Sequence, residues 1–232
     1  MKTLRIPLLS DLDQSLKAAA DPVHRASIQK HFGSNVDDFY GVRMQVIREC
    51  AASTLAGKAI PLATRWKWCD ELLSTDIFEH KIAAFFWAWQ VRRQWDGSEL
   101  PRFARWLHES VDEWMETDDL CIRVIGDYFL RFPEQAVAVK KWSRLPGKWS
   151  RRGSAVSLVP LARSGQAWSL IESVADRLKN NPEPLVAKAC GWLLKVASGK
   201  KPAAVRAFVT AAGSTMAPIV RRTALEKRMQ SH

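Results

Sequence analysis

The period of its apolar residues constrains this 232-residue chain most. Leu120, Val124, Ile125, Tyr128 and Phe129 fall at i, i+4, i+5, i+8 and i+9, one face of a helix. The run Ile82–Trp89 is nearly all apolar and is closed by Arg92 and Arg93. Val186–Leu194 repeats the design. No alternating segment bounded by Asn-Gly or Asp-Gly appears, so hairpins are not expected. Eleven Gly and 11 Pro are too few for a turn-rich all-β chain.

Punctuation recurs every ten to twenty residues. Pro61, Pro101 and Pro133 suit helix starts. Gly147, Asn180-Asn181-Pro182 and Gly199-Lys200-Lys201-Pro202 read as breaks. About a dozen short helices cannot each bury a face alone. The expected fold is all-α, with antiparallel helical pairs stacked as in HEAT-type arrays. A compact helical bundle is the alternative. The linker-like Arg151-Arg152-Gly153-Ser154 leads straight into an apolar run, so residues 1–232 are read as a single domain. No apolar run reaches the roughly 18 residues that span a bilayer, and the N-terminus lacks a secretory core. Cys50, Cys69, Cys121 and Cys190 lie far apart, which points to a reducing, cytoplasmic setting and not to a disulfide framework.

Charge divides the chain. Residues 1–134 carry 17 basic and 20 acidic side chains, and residues 135–232 carry 18 and 4, a net of +14. Lys140, Lys141, Arg144, Lys148, Arg151, Arg152 and Arg163 fall in a stretch with no acid between Glu134 and Glu172. Such a field suits a polyanion, duplex nucleic acid first, with an anionic membrane or an acidic protein behind it. Much chemistry is missing. There is no phosphate-binding glycine loop. His24, His31, His80, His108 and His232 have no metal-ligand spacing, so neither metal nor cofactor is expected. Cys190 sits on an apolar helical face and reads as an inert core thiol.

Eleven Trp is a large number for this length. Trp66, Trp68, Trp87 and Trp89 lie in strongly apolar segments and read as packing. Trp114, Trp142, Trp149 and Trp192 lie in or beside the basic half, where their faces could meet a sugar or base. Trp114 and Asp118 stand at i, i+4, on one helical face. Asp118 also precedes an apolar run, and taken alone it reads better as a helix N-cap. Asp118, Arg152 and Trp192 are spaced by 34 and 40 residues, about one helical pair each, so a stack of pairs could bring them to one concave, basic face.

Five ordered motifs then carry a resemblance. They are His31-Phe32…Phe39-Tyr40-Gly41-Val42…Arg48; Trp114-x-x-x-Asp118 with Gly126–Glu134 after it; Trp149-Ser150-Arg151-Arg152; Lys188-Ala189-Cys190-Gly191-Trp192; and Ala217-Pro218…Arg222-Thr223-Ala224. Together they resemble the AlkD family of HEAT-like-repeat DNA alkylation repair enzymes. Departures from its pattern are Glu113 for a Trp, Met115 for an acid, Gln45 for a Pro, Ser27 for an aromatic and a longer loop from Gly33 to Asp38. The resemblance implies a monomeric, monofunctional glycosylase that excises cationic alkylpurines such as 3-methyladenine and 7-methylguanine from duplex DNA. It engages the lesion from the backbone side and needs no cofactor. Asp118 would stabilise the oxocarbenium-like sugar. Trp114 and Trp192 would flank that sugar, and Arg152 would anchor a phosphate of the lesion strand. Lys148, Trp149, Arg151 and Lys188 would add duplex contacts. The rival from another class is a non-catalytic HEAT-like module that binds DNA structure or scaffolds repair.

Overall fold

The computed structural model describes residues 6–30 and 39–226. His31-Phe32 and the longer loop from Gly33 to Asp38 lie outside the described residues. Among the described residues there are helices and loops and no strand, as the period required. Their contacts fall into two compact units, Met1–Asp96 and Gly97–His232.

The first unit holds α1 (Pro7–Ala18), α2 (Pro22–Gln29), α3 (Met44–Leu55), α4 (Leu62–Leu73) and α5 (Phe78–Gln90). Proline opens α1 and α2. Its absent N–H is no loss there, since the first-turn donors have no helical partner. Pro61 sits one step earlier than expected, as the cap residue of α4. Helix α5 is the core of the unit, buried from Phe78 to Phe85 and again at Trp87 and Ala88. Trp87 is fully buried and donates its indole N–H to Ala51 O at 2.8 Å. Trp66 is buried too, whereas Trp68 and Trp89 are only partly covered.

The expected N-terminal motif is held by buried polar groups of α5. Glu79, fully buried, accepts the backbone N–H groups of Tyr40, Gly41 and Val42 at 2.9, 2.8 and 3.1 Å. Gly41 has φ +86°, and a Cβ there would lie 2.4 Å from that of Arg25, so only glycine fits. Beside it, Asp13 accepts from Tyr40 Oη at 2.5 Å and faces His80 Nε2 at 3.1 Å, while His80 Nδ1 meets Thr75 Oγ1 at 2.9 Å. Burial lowers the His80 imidazole to about 4, although the Asp13 carboxylate pulls the other way.

The second unit begins with α6 (Leu100–Glu109) and α7 (Trp114–Asp119). A π-helical turn, Leu120–Ile125, joins α7 to α8 (Gly126–Arg131) without a break. A 3₁₀ segment (Pro133–Ala138) leads to α9 (Val139–Trp142). Then come α10 (Lys148–Val156), α11 (Val159–Ser164), α12 (Trp168–Leu178), α13 (Pro184–Ala197), α14 (Pro202–Ala212) and α15 (Pro218–Leu225). Arg151–Ser154, linker-like in sequence, lies inside α10, because Gly153 and Ser154 are buried against other helices and not in solvent. Helix α13 packs on α10, α11, α12 and α15 and is buried along most of its length. At Gly191 the approach of α15 is close enough that a Cβ would lie 2.7 Å from Thr223 Cβ and 3.0 Å from Val220 O. Cys121 and Cys190 are sealed in this core, and burial pushes both thiols up to about 12. No helix of the described residues is long and apolar enough to cross a membrane.

Candidate functional site

Helix α7 starts at Glu113, whose carboxylate accepts the Trp114 N–H at 3.3 Å. Glu113 is therefore the cap, and Asp118 is not. Asp118 lies in the last turn of α7 with Trp114 one turn before it, on the same face. Trp114, Met115 and Asp118 are partly exposed, and Glu116, Thr117 and Asp119 are buried. The short helix thus turns an aromatic ring and a carboxylate outward from a buried base.

Arg152 reaches that carboxylate from α10. Its Nε and Nη2 donate to the two oxygens of Asp118 at 2.9 and 2.7 Å, a bidentate pair. Its Nη1 donates to Leu185 O of α13 at 2.6 Å. The guanidinium is buried, 7% exposed at its side chain against 18% for Asp118. This differs from the open guanidinium that a phosphate anchor would present: each of its three nitrogens already donates one hydrogen bond within the protein. Burial pushes the Asp118 carboxyl above its ordinary value. The hydrogen bonds and charge of Arg152 pull it down, and neighbouring Asp119 adds to the push upward.

Leu185 also locates the third element. On α13, Leu185, Lys188 and Trp192 stand at i, i+3 and i+7, so they share a face over about 10 Å of helix. Trp192 is partly exposed, and Lys188 is exposed. The neighbouring Gly191 is buried against α15, and Trp192 stands about 100° further round the helix. Trp114, Asp118, Arg152 and Trp192 thus lie on three helices, α7, α10 and α13, of which α10 packs on both others.

The remaining expected contacts divide. Lys148 is exposed at the start of α10, its ammonium 4.5 Å from the ring centre of the partly buried Trp149. Arg151 is turned back on its own loop, donating to Leu145 O at 2.9 Å and to Pro146 O. Trp142 is a correction: it is 4% exposed and packs on Phe129 and edge-on to His108, so it faces no ligand. Its neighbours in sequence are Lys140 and Lys141, and that basic context masked a core position. Asp119, the alternative carboxylate next in sequence, is buried below Asp118. The Leu185 carbonyl carries no sequence signal, since it is backbone. No group of side chains suited to a metal ion occurs among the described residues.

The family described as DNA alkylation repair enzyme matches residues 12–228. The chain belongs to that family. A solved structure similar to it is titled a predicted DNA alkylation repair enzyme from Enterococcus faecalis. It has a TM-score of 0.70 and 15% identity over 91% of this chain and 98% of that one. At that identity the likeness speaks for the fold. No curated protein matches the sequence. Membership in the DNA alkylation repair family fits the positive field of residues 135–232, whose natural counterpart is DNA.

Proposed function

We propose that this DNA alkylation repair protein is a glycosylase that removes cationic N-alkylated purines of the 3-methyladenine and 7-methylguanine type from duplex DNA. One observation carries the reading: a partly exposed carboxylate, gripped at both oxygens by a buried arginine, stands one helical turn from a partly exposed Trp. Alkylation at a ring nitrogen makes the purine a good leaving group. Departure of the base leaves positive charge on the sugar, and a fixed anion lowers the energy of that state most where water is thinned. Asp118 is that anion. Its two hydrogen bonds from Arg152 hold it in one orientation, so little reorganisation is needed when charge develops. Trp114 and Trp192 offer π faces to the cationic sugar. With Arg152 committed to Asp118, the phosphates fall to exposed Lys148 and Lys188.

The test is incubation of the purified protein with methylated duplex DNA and identification of the released bases. Asp118→Asn keeps shape and removes charge. It should bind unmodified duplex within about twofold of wild type and lose at least about 100-fold in excision, the scale of one electrostatic stabiliser. Duplex binding by a wild-type protein that releases no base would establish the rival, a DNA-binding module without catalysis. Excision also needs the carboxylate ionised. Its rate should therefore fall with acid at a higher pH than an ordinary aspartate would set, because Asp118 is shifted upward by burial.

A further inference from the structure

At Gly153, α10 comes close to both α6 and the π-helical turn. Gly153 is buried, next in sequence to Arg152. A Cβ there would lie 2.6 and 2.7 Å from the two methyls of Leu107 on α6, and 3.1 Å from Cys121 Sγ in the π-helical turn. Leu107 and Cys121 are both fully buried, so neither has open space to retreat into. Cys121 follows Asp118 by three residues, and its thiol also faces Ser157, one turn on from Gly153. The Arg152–Asp118 pair joins α10 to α7, and the Gly153–Cys121 contact joins α10 to the π-helical turn that continues α7, one residue apart on α10 and three apart on the facing segment.

We propose that Gly153 is a positioning residue for excision: its missing side chain sets the distance at which Arg152 grips both oxygens of Asp118. The proposal rests on the reading of Asp118 as the catalytic carboxylate. Ordinary carbon contacts are about 3.5–4.0 Å, so a methyl at Gly153 must displace the Leu107 methyls or move α10 off α6 by about 1 Å, while Cys121 Sγ must give by a few tenths of an ångström. Where α10 moves, the hydrogen bonds of 2.9 and 2.7 Å from Arg152 to Asp118 lengthen toward the limit of hydrogen bonding. Asp118 would then lose the groups that orient it and that hold its carboxyl down. Arg152 would keep its charge, so the loss differs from that in a variant lacking the arginine.

The experiment compares full-length wild type, Gly153→Ala, Gly153→Val and Gly153→Ala/Leu107→Ala. It uses single-turnover excision from methylated duplex across pH, binding of unmodified duplex, and ¹³C NMR titration of the Asp118 carboxyl. Gly153→Ala should lose at least about tenfold in rate with duplex affinity within about twofold. Its acid limb, and the titration of Asp118, should move to higher pH. Gly153→Val should lose more. Trimming Leu107 relieves the two shortest contacts and should restore most of the rate and return the Asp118 titration toward wild type. An unmoved Asp118 titration in Gly153→Ala overturns the proposal, whether or not the rate falls. So does a rate loss that the Leu107 change fails to recover. If Gly153→Val does not fold, the alanine variant and its rescue decide. The underlying reading fails separately, by excision that survives Asp118→Asn or is absent in wild type. The NMR titration reports on Gly153 in either case.

Discussion

A tryptophan in a basic segment can be core or contact surface, and burial separates the two. Trp87 is fully buried with its indole N–H bonded to Ala51 O, so Trp87→Ala should cost about 3–5 kcal/mol in a thermal or denaturant melt. Trp114 and Trp192 are partly exposed and lose less contact on truncation. Their alanine variants should cost no more than about 2 kcal/mol, since only part of the area leaves water on folding. Both should lower excision instead. Melting of either variant as low as Trp87→Ala would remove it from the site. That Asp118 and Arg152 converge was legible in the sequence from their helical-pair spacing. The direction of Arg152 was not legible. A guanidinium can point to a phosphate or to a carboxylate 34 residues away, and only the packing of α10 on α7 decides between them.

At the scale of elements, two devices stand out. The pair Glu79 and His80 opens α5 and fixes the Phe39–Val42 segment with buried polar groups. His80 falls from 6.5 unfolded to about 4 folded, so the neutral ring is the form that folding favours. Its contribution, about 3 kcal/mol on the scale of 1.4 kcal/mol per unit, is fully present above pH 6.5 and is lost as pH falls toward 4. Glu79, raised by burial, acts with the opposite sign in both wild type and a His80→Asn variant, so it cancels in their difference. The stability advantage of wild type over His80→Asn should therefore shrink between pH 6.5 and 4. A constant gap across that window would show that His80 titrates normally. The second device is the π-helical turn after Asp118. The buried pairs 120/121, 124/125 and 128/129 recur at a strict four residues, wider than the 3.6 of an α-helix. In sequence that drift is hard to tell from an ordinary helical stripe, since the two periods differ by less than half a residue per turn. A π turn holds one residue more than an α turn, so deleting partly exposed Ile122 should leave a folded chain with both flanks in register, checked by its circular dichroism and melt.

Across the whole molecule, the charge partition sets how the protein meets its polyanion. Duplex affinity should fall steeply with salt, by about 0.9 logarithmic units of affinity per logarithmic unit of salt for each phosphate contact. Lys148→Ala and Lys188→Ala should each reduce that slope by about one contact, whereas the double variant Arg152→Ala/Asp118→Asn should leave it unchanged, because the pair carries no net charge and the guanidinium is buried and engaged. A reduced slope in the double variant would restore the phosphate role to Arg152. The closed pair matters here as well. A lone carboxylate at a DNA-facing site would repel every phosphate that approached it. Clasped by Arg152, Asp118 presents to the incoming strand a dipole in place of a net charge, and the attraction of the basic half goes unopposed. On the proposed reading, the anion that base excision requires is thereby kept silent during encounter, and its field is felt only at the short range where the sugar would come to rest.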